Sequence, residues 1–404
     1  MRKATIGDLL AEAKEDHESV IEFTRDLVTT PSRGGLDSYE PVLDKVRSWL
    51  AHRDLAVTTL KDKTGATVGL TCEIAGALPG PRWVLDTCLD TAPFGDEQAW
   101  THPPTSAHIT DGWMTGRGSA DSKSGTAIFC HIAARLAAAP RDWHGTLVLL
   151  CDVDEHTGGF GGAKRYFEGD DAPTDVAGVM IGYPGMDKLV VGGRGVHRAK
   201  LHVHGIASHS GSSKTTPSAI EKAAHLVRTL TTAELPTGAT TEFPLPGKLT
   251  VTAMTGGDGY SVTPDLCTLN VDIRTTPAFD TTAAAHLLEQ LVTAVDTRWP
   301  GTRPTLIQAD TTWPAYALDT TSPLRSALLD AAHEAGVDLT AKVAGPSNIG
   351  NYLAGLGIPA TAGFGVDYIG LHATDERIRL DTIPTIQAVY HLAVLNLLHA
   401  INLS

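Results

Sequence analysis

Five consecutive apolar residues, Leu147-Val148-Leu149-Leu150-Cys151, run directly into Asp152-Val153-Asp154-Glu155-His156. A strand that faces water on one side alternates apolar and polar residues, whereas an unbroken apolar run describes a strand covered on both faces, as parallel strands between helices are. Trp83-Val84-Leu85 and Val176 to Ile181 repeat the pattern, and helical spacing lies between them over about Gly125 to Ala139 and Gly162 to Phe167. This alternation predicts an α/β fold with a mainly parallel sheet.

Helical periodicity precedes the sheet, with Ile6, Leu9, Leu10, Ala13, Val20, Ile21, Leu27 and Val28 on one face and Val42, Leu43, Val46, Trp49 and Leu50 on a second. An alternating strand follows at Val68, Leu70, Cys72 and Ile74. The pattern changes after Gly192-Gly193-Arg194-Gly195. Alternating strands (Ala199 to Val203, Leu249 to Ala253, Leu269 to Ile273) interleave there with helices over Pro217 to Thr231 and Thr281 to Arg298. Strand, helix, strand, strand, helix, strand is the order of an inserted α+β, ferredoxin-like domain. A chain of 404 residues exceeds one ordinary hydrophobic core. The reading is therefore a first domain over 1–193 and 308–404, the catalytic one on the resemblance given below, and an inserted domain over 194–307. Helical spacing resumes over Ser322 to Ala335 and Thr382 to Ile401.

The net charge of −14 argues against a nucleic-acid or anionic-membrane partner, since either needs a basic face. No apolar run has the roughly 18 residues of a membrane span, and the stretch from Met1 to Asp8 lacks a signal peptide's apolar block. Cys72, Cys88, Cys130, Cys151 and Cys267 are scattered without CxxC spacing, which fits a reducing cytoplasm.

Open α/β sheets bind ligands beyond the carboxyl ends of their strands. Four clusters fall there: Asp86 to Thr91, Gly116 to Lys123, Asp152 to Gly159, and Tyr183-Pro184. Gly370-Leu371-His372-Ala373-Thr374-Asp375-Glu376 adds a histidine flanked by carboxylates. Carboxylate, imidazole and thiol groups gathered at one sheet edge suit a borderline metal such as zinc.

These motifs resemble the zinc metallopeptidase family that contains succinyl-diaminopimelate desuccinylase, acetylornithine deacetylase, aminoacylase and glutamate carboxypeptidase. The resemblance rests on Gly116-Arg117-Gly118-x-x-Asp121-x-Lys123, Asp154-Glu155-x-Thr157-Gly158-Gly159, Gly205 to Gly211, Val271-Asp272-Ile273-Arg274 and Gly345-Pro346-Ser347-Asn348. It implies a zinc-exopeptidase-like catalytic domain, an inserted lid through which protomers dimerise, and a two-metal site that cleaves amide bonds of N-acyl amino acids or short peptides. On it, Asp121 is the carboxylate bridging the metals, His372 a metal ligand, and Glu155 the general base acting on metal-bound water. Asp90 orients the residue two positions before it, His209 steadies the oxyanion in a neighbouring protomer, and Arg274 holds the substrate carboxylate. Tyr183 and Asn348 join Arg274 as substrate-binding candidates.

Three ligand positions depart from the family pattern: Cys88 replaces histidine, His156 replaces glutamate and Tyr183 replaces an acidic residue. Asp121, His156 and His372 remain a sound mononuclear set, whereas a neutral phenol with a pKa near about 10 is a poor ligand. The expectation is one zinc ion, with ferrous iron, manganese or cobalt as alternatives. Cys88 is open between packing, metal ligation and nucleophilic reactivity. Two functions follow from these readings: hydrolysis of a small N-acyl amino acid or dipeptide-like substrate, or amide formation or acyl transfer in a biosynthetic pathway using Cys88.

Overall fold

The computed structural model describes residues 4–236 and 238–400. The start of the chain at Met1 to Lys3 and the expected helix end at Ile401 lie outside the described residues. Contacts divide the described residues into two compact units: one drawn from Met1–Val191, Leu318–Lys342 and Ile358–Ser404, the other from Gly192–Ala317 and Val343–Gly357.

In the first unit, strands run in the order Thr58–Lys61, Thr67–Ala75, His144–Asp152, Leu78–Cys88, Val176–Ile181, Ala360–Ala362 and Lys188–Gly193. The four central strands, from His144–Asp152 to Ala360–Ala362, are mutually parallel, and their neighbours on both sides are antiparallel. The unbroken apolar runs are these central strands, with Leu147 to Cys151 and Val179 to Ile181 all buried. Helices pack against the sheet. Ile383–Leu398 packs against Ile6–Val28, Ser124–Ala138 and Pro323–Glu334, while Gly161–Glu168 lies against the strands Thr58–Lys61, Thr67–Ala75 and His144–Asp152. Thr5 opens the first helix with a capping box to Asp8, which satisfies amide groups that helix geometry leaves unpaired. Leu9, Val20, Leu27 and Val28 then form its buried stripe, each contributing roughly 2 kcal/mol of apolar burial.

The second unit is a four-stranded antiparallel sheet in the order Lys248–Gly256, Leu266–Thr275, Gly195–His204 and Leu306–Trp313, with helices Ala219–Thr231 and Thr281–Asp296. Numbered along the chain, that order is 2-3-1-4, which is ferredoxin-like. Ala199, Leu201, Val203, Leu269, Val271 and Ile273 point into its core with Leu226, Leu230, Leu288 and Val292.

The expected boundary at 307/308 is corrected here, because residues 308–317 belong to the second unit. Leu306–Trp313 is its edge strand, paired with Gly195–His204, and the pairing carries the chain past 308. Residues 343–357 also cluster with this unit, including a helix over Ile349–Gly355 that periodicity did not predict. No helix among the described residues is long and apolar enough to cross a membrane.

Candidate metal centre

The parallel strands deliver the first cluster. Cys88 ends the central strand, in register with Asp152 on its neighbour, and Asp90 follows two residues later. The turn after Asp152 carries Glu155 and His156, and Asp90 holds it: Oδ1 accepts the Glu155 amide at 2.9 Å and Oδ2 the His156 amide at 3.0 Å. Asp90 is fully buried. The Cys88 thiol donates to the Asp90 carbonyl at 3.3 Å and to its Oδ1 at 3.1 Å. Burial, then the negative charges of Asp90 and Glu155, push the Cys88 thiol well up, so it stands protonated in this arrangement.

His372 arrives from a small sheet in the same unit. Strands Tyr368–Ile369 and Arg377–Arg379 form a hairpin that pairs with Trp113–Thr115, and its loop spans 370–376. Positive φ at His372 (59°) and Asp375 (57°) opposes the usual preference of residues with a Cβ. The loop is tied down in compensation. Asp375 accepts from the Thr101 amide and hydroxyl at 2.9 and 2.7 Å. Buried Glu376 pairs with buried Arg117 at 2.6 Å and accepts the amides of Gly118 and Ala120 at 3.0 and 3.1 Å. Burial raises the Glu376 carboxyl even against the pull of Arg117, as expected of a desolvated pair.

Glu376 thus locks the His372 loop onto the segment that presents Asp121. His372 Nε2 lies 2.9 Å from Asp121 Oδ2, His156 Nε2 lies 3.5 Å from the same oxygen, and the two rings are 5.1 Å apart. Asp121, His156 and His372 offer ligand atoms all within 4.8 Å of one another. Asp121 Oδ1 and His156 Nε2 are buried without a hydrogen-bond partner, and both are atoms that a cation would engage. The charges agree. Burial opposes ionisation of both groups, yet the close approach of His156 and His372 holds Asp121 below the usual carboxylate range, and the acids Asp121, Asp90 and Glu155 around His156 lift it to about 11. The donor set fits a divalent ion.

Cys88, Asp90 and His156 form a second set of possible ligands, sharing His156 with the first. Tyr183 is engaged elsewhere, since its hydroxyl donates to Glu155 Oε1 in a short hydrogen bond. Burial first, then the charges of Glu155 and Asp121, push the phenol well up. Glu155 is itself raised to about 7 by burial and by the charge of Asp121.

In the second unit, His209 is exposed and its Nδ1 accepts the Gly211 amide at 2.9 Å. Arg274 is paired with Asp272 at 2.6 and 3.1 Å and donates to Ser347 at 3.1 Å. The Asn348 side-chain oxygen caps the helix Ile349–Gly355 through the Gly350 amide.

Sequence reasoning gave no role to Arg117, Glu376 or the buried acids Asp86 and Asp152. Burial, then the charge of Glu155, raises Asp86 to about 8, and neither of its oxygens has a hydrogen-bond partner. An acid on the same strand face as Val84 was the available signal, because inward strand positions are normally apolar.

The chain matches the model of peptidase family M20/M25/M40 over residues 88–396. It is 29% identical over 331 residues to a succinyl-diaminopimelate desuccinylase of Stenotrophomonas maltophilia, covering 80% of this chain and 85% of that protein. It is 29% identical over 211 residues to the enzyme of the same name from Paracoccus denitrificans, 51% of this chain and 54% of that one, so this match spans about half of the relative. Its fold is similar to a dinuclear metal-binding peptidase of the M20 family from Bacillus subtilis, with a TM-score of 0.71 and 16% identity over 95% of this chain and 99% of that one.

Proposed function

The chain belongs to peptidase family M20/M25/M40, and on that premise we propose that it hydrolyses an amide bond in a small N-acyl amino acid or dipeptide-like substrate. The observation that carries the reading is the meeting of Asp121, His156 and His372 beside Glu155. Those three side chains would hold one divalent ion, zinc by donor type, with ferrous iron, manganese and cobalt suited to the same set. Bound there, the ion would supply Lewis-acid polarisation of the scissile carbonyl and acidify water.

The protein's own groups do the proton work. Glu155 takes a proton from the attacking water as its oxygen bonds to the carbonyl carbon, then gives it to the departing amine nitrogen as the carbon–nitrogen bond breaks. A carboxyl lifted to about 7 can serve as base and then as acid near neutrality. Tyr183 holds Oε1 of Glu155 and leaves Oε2 3.6 Å from His156 Nδ1. In the same proposal Arg274 binds the substrate carboxylate, His209 steadies the oxyanion, and the second unit serves as lid and dimer contact.

One ion is proposed because Cys88 and Tyr183 are protonated donors already spent on Asp90 and Glu155. The same engagement weighs against acyl transfer through Cys88, which needs a thiolate. The test pairs metal analysis with a hydrolysis screen over N-acyl amino acids, N-succinyl compounds and dipeptides. The expected result is about one zinc per chain, with turnover that Glu155→Gln lowers by at least about a hundredfold while zinc is retained. Undiminished turnover in Glu155→Gln, or a metal-free active enzyme, would sink the reading.

A further inference from the structure

We propose that Asp90 is a positioning residue for His156, fixing which ring nitrogen faces the cation; this rests on the metal reading above. The resemblance would have Asp90 orient the residue at 88. Here the residue at 88 is a cysteine whose thiol serves as a donor to Asp90. A thiol donating to that carboxylate needs no orienting, whereas an imidazole has two distinct nitrogens and must be set.

His156 is held on three sides. Asp90 Oδ2 accepts its backbone amide at 3.0 Å and is the nearest carboxylate oxygen to ring Nδ1, at 3.4 Å, with Glu155 Oε2 at 3.6 Å and Cys88 Sγ at 3.8 Å around the same nitrogen. The other nitrogen, Nε2, is the one near Asp121 Oδ2, at 3.5 Å, and it is buried without a hydrogen-bond partner. Gly34 packs over the pair, where a Cβ would stand 3.1 Å from Asp90 Oδ2 and 3.2 Å from His156 Cβ. With a cation bound, this arrangement would give Nδ1–H to Asp90 and leave Nε2, stripped of its proton, facing the position shared with Asp121 and His372. A carboxylate behind a ligating histidine fixes its tautomer and raises its basicity, and losing it typically weakens metal binding about 10- to 100-fold. The replacement of glutamate by His156 and of histidine by Cys88 thus has one physical result: the imidazole has moved to the other side of the same buried acid.

The test is a set of double-variant cycles read as zinc affinity, by competition against a chromophoric chelator on the full chain. Asp90→Asn is expected to weaken zinc about 10- to 100-fold. It should cost the same in a Cys88→Ala background and less than about twofold in a His156→Gln background. A loss that disappears with Cys88→Ala would place the action of Asp90 at position 88 and overturn the proposal. A loss that persists with His156→Gln would mean Asp90 acts directly, with the same consequence. Because Asp90→Asn also touches two backbone amides, nitrogen NMR of the imidazoles in zinc-loaded unaltered protein gives a reading without a variant. Zinc on Nε2 of His156 with a proton on Nδ1 is expected, and the opposite arrangement overturns the inference. Absence of zinc from the unaltered protein would instead bring down the metal reading and this inference with it, so the two failures are separable.

Discussion

Tyr183 stands where the family resemblance expects an acidic metal ligand, yet its hydroxyl is turned onto Glu155. Tyr183→Phe is therefore expected to lower kcat by roughly tenfold through a loosened Glu155, while zinc stoichiometry stays unchanged. Parallel metal analysis and steady-state kinetics check this, and loss of zinc in the variant would make Tyr183 a ligand after all. The residues of the centre were legible in sequence because each follows a strand end or sits in a distinctive loop. The links between them were not. Asp90 and His156 are 66 positions apart, and Arg117 and Glu376 are 259 apart, so only folding reveals which acid serves which partner.

The loop that carries His372 is tied down by a buried ion pair between Glu376 and Arg117 as well as by the Asp375–Thr101 hydrogen bonds. Removing the acid in Glu376→Ala leaves Arg117 buried and unpaired, a change expected to cost about 3 to 5 kcal/mol in urea unfolding of the metal-free protein. Unchanged stability would show that water replaces the carboxylate. A second expectation concerns the helices Ser124–Ala138 and Ile383–Leu398. His131 and His391 lie on them near the first helix, at 2.9 Å from Ser19 Oγ and 4.0 Å from Glu12 respectively, and burial pushes each imidazole down to about 4. An unfolded histidine titrates near about 6.5. As pH falls from there to about 4, the unfolded chain takes up protons that the folded chain refuses, so stability declines across that window and levels below it. Replacing His391 with leucine should flatten the decline in unfolding midpoints between those pH values, and an unaltered slope would count against it. The central strands and long helices were readable from periodicity. The His372 hairpin was not, because strands of two and three residues carry no period, and Leu306–Trp313 hid because its exposed Gln308 and Asp310 make it look like loop.

At the level of the molecule, the chain length and the changes of strand and helix pattern were enough to foresee an α/β unit interrupted by an α+β one. The return point was misplaced because an edge strand belongs to its sheet by hydrogen bonding rather than by composition. The proposed ion is held wholly by the first unit, so zinc at a hundredfold excess over its Kd should stabilise that unit by about 2.7 kcal/mol. Hydrogen exchange with and without zinc is expected to show new protection around 86–91, 116–123, 152–159 and 370–376. Equal protection across Gly195–His204 and Leu266–Thr275 would contradict a cation confined to the first unit. One last property follows from all five cysteines being free and buried. Bulky maleimide dyes should find no native thiol to react with while the protein stays folded, so a single cysteine introduced on the surface of each unit would accept a fluorophore cleanly. The natural chain is thus already a low-background scaffold for fluorescence reporters placed on either unit.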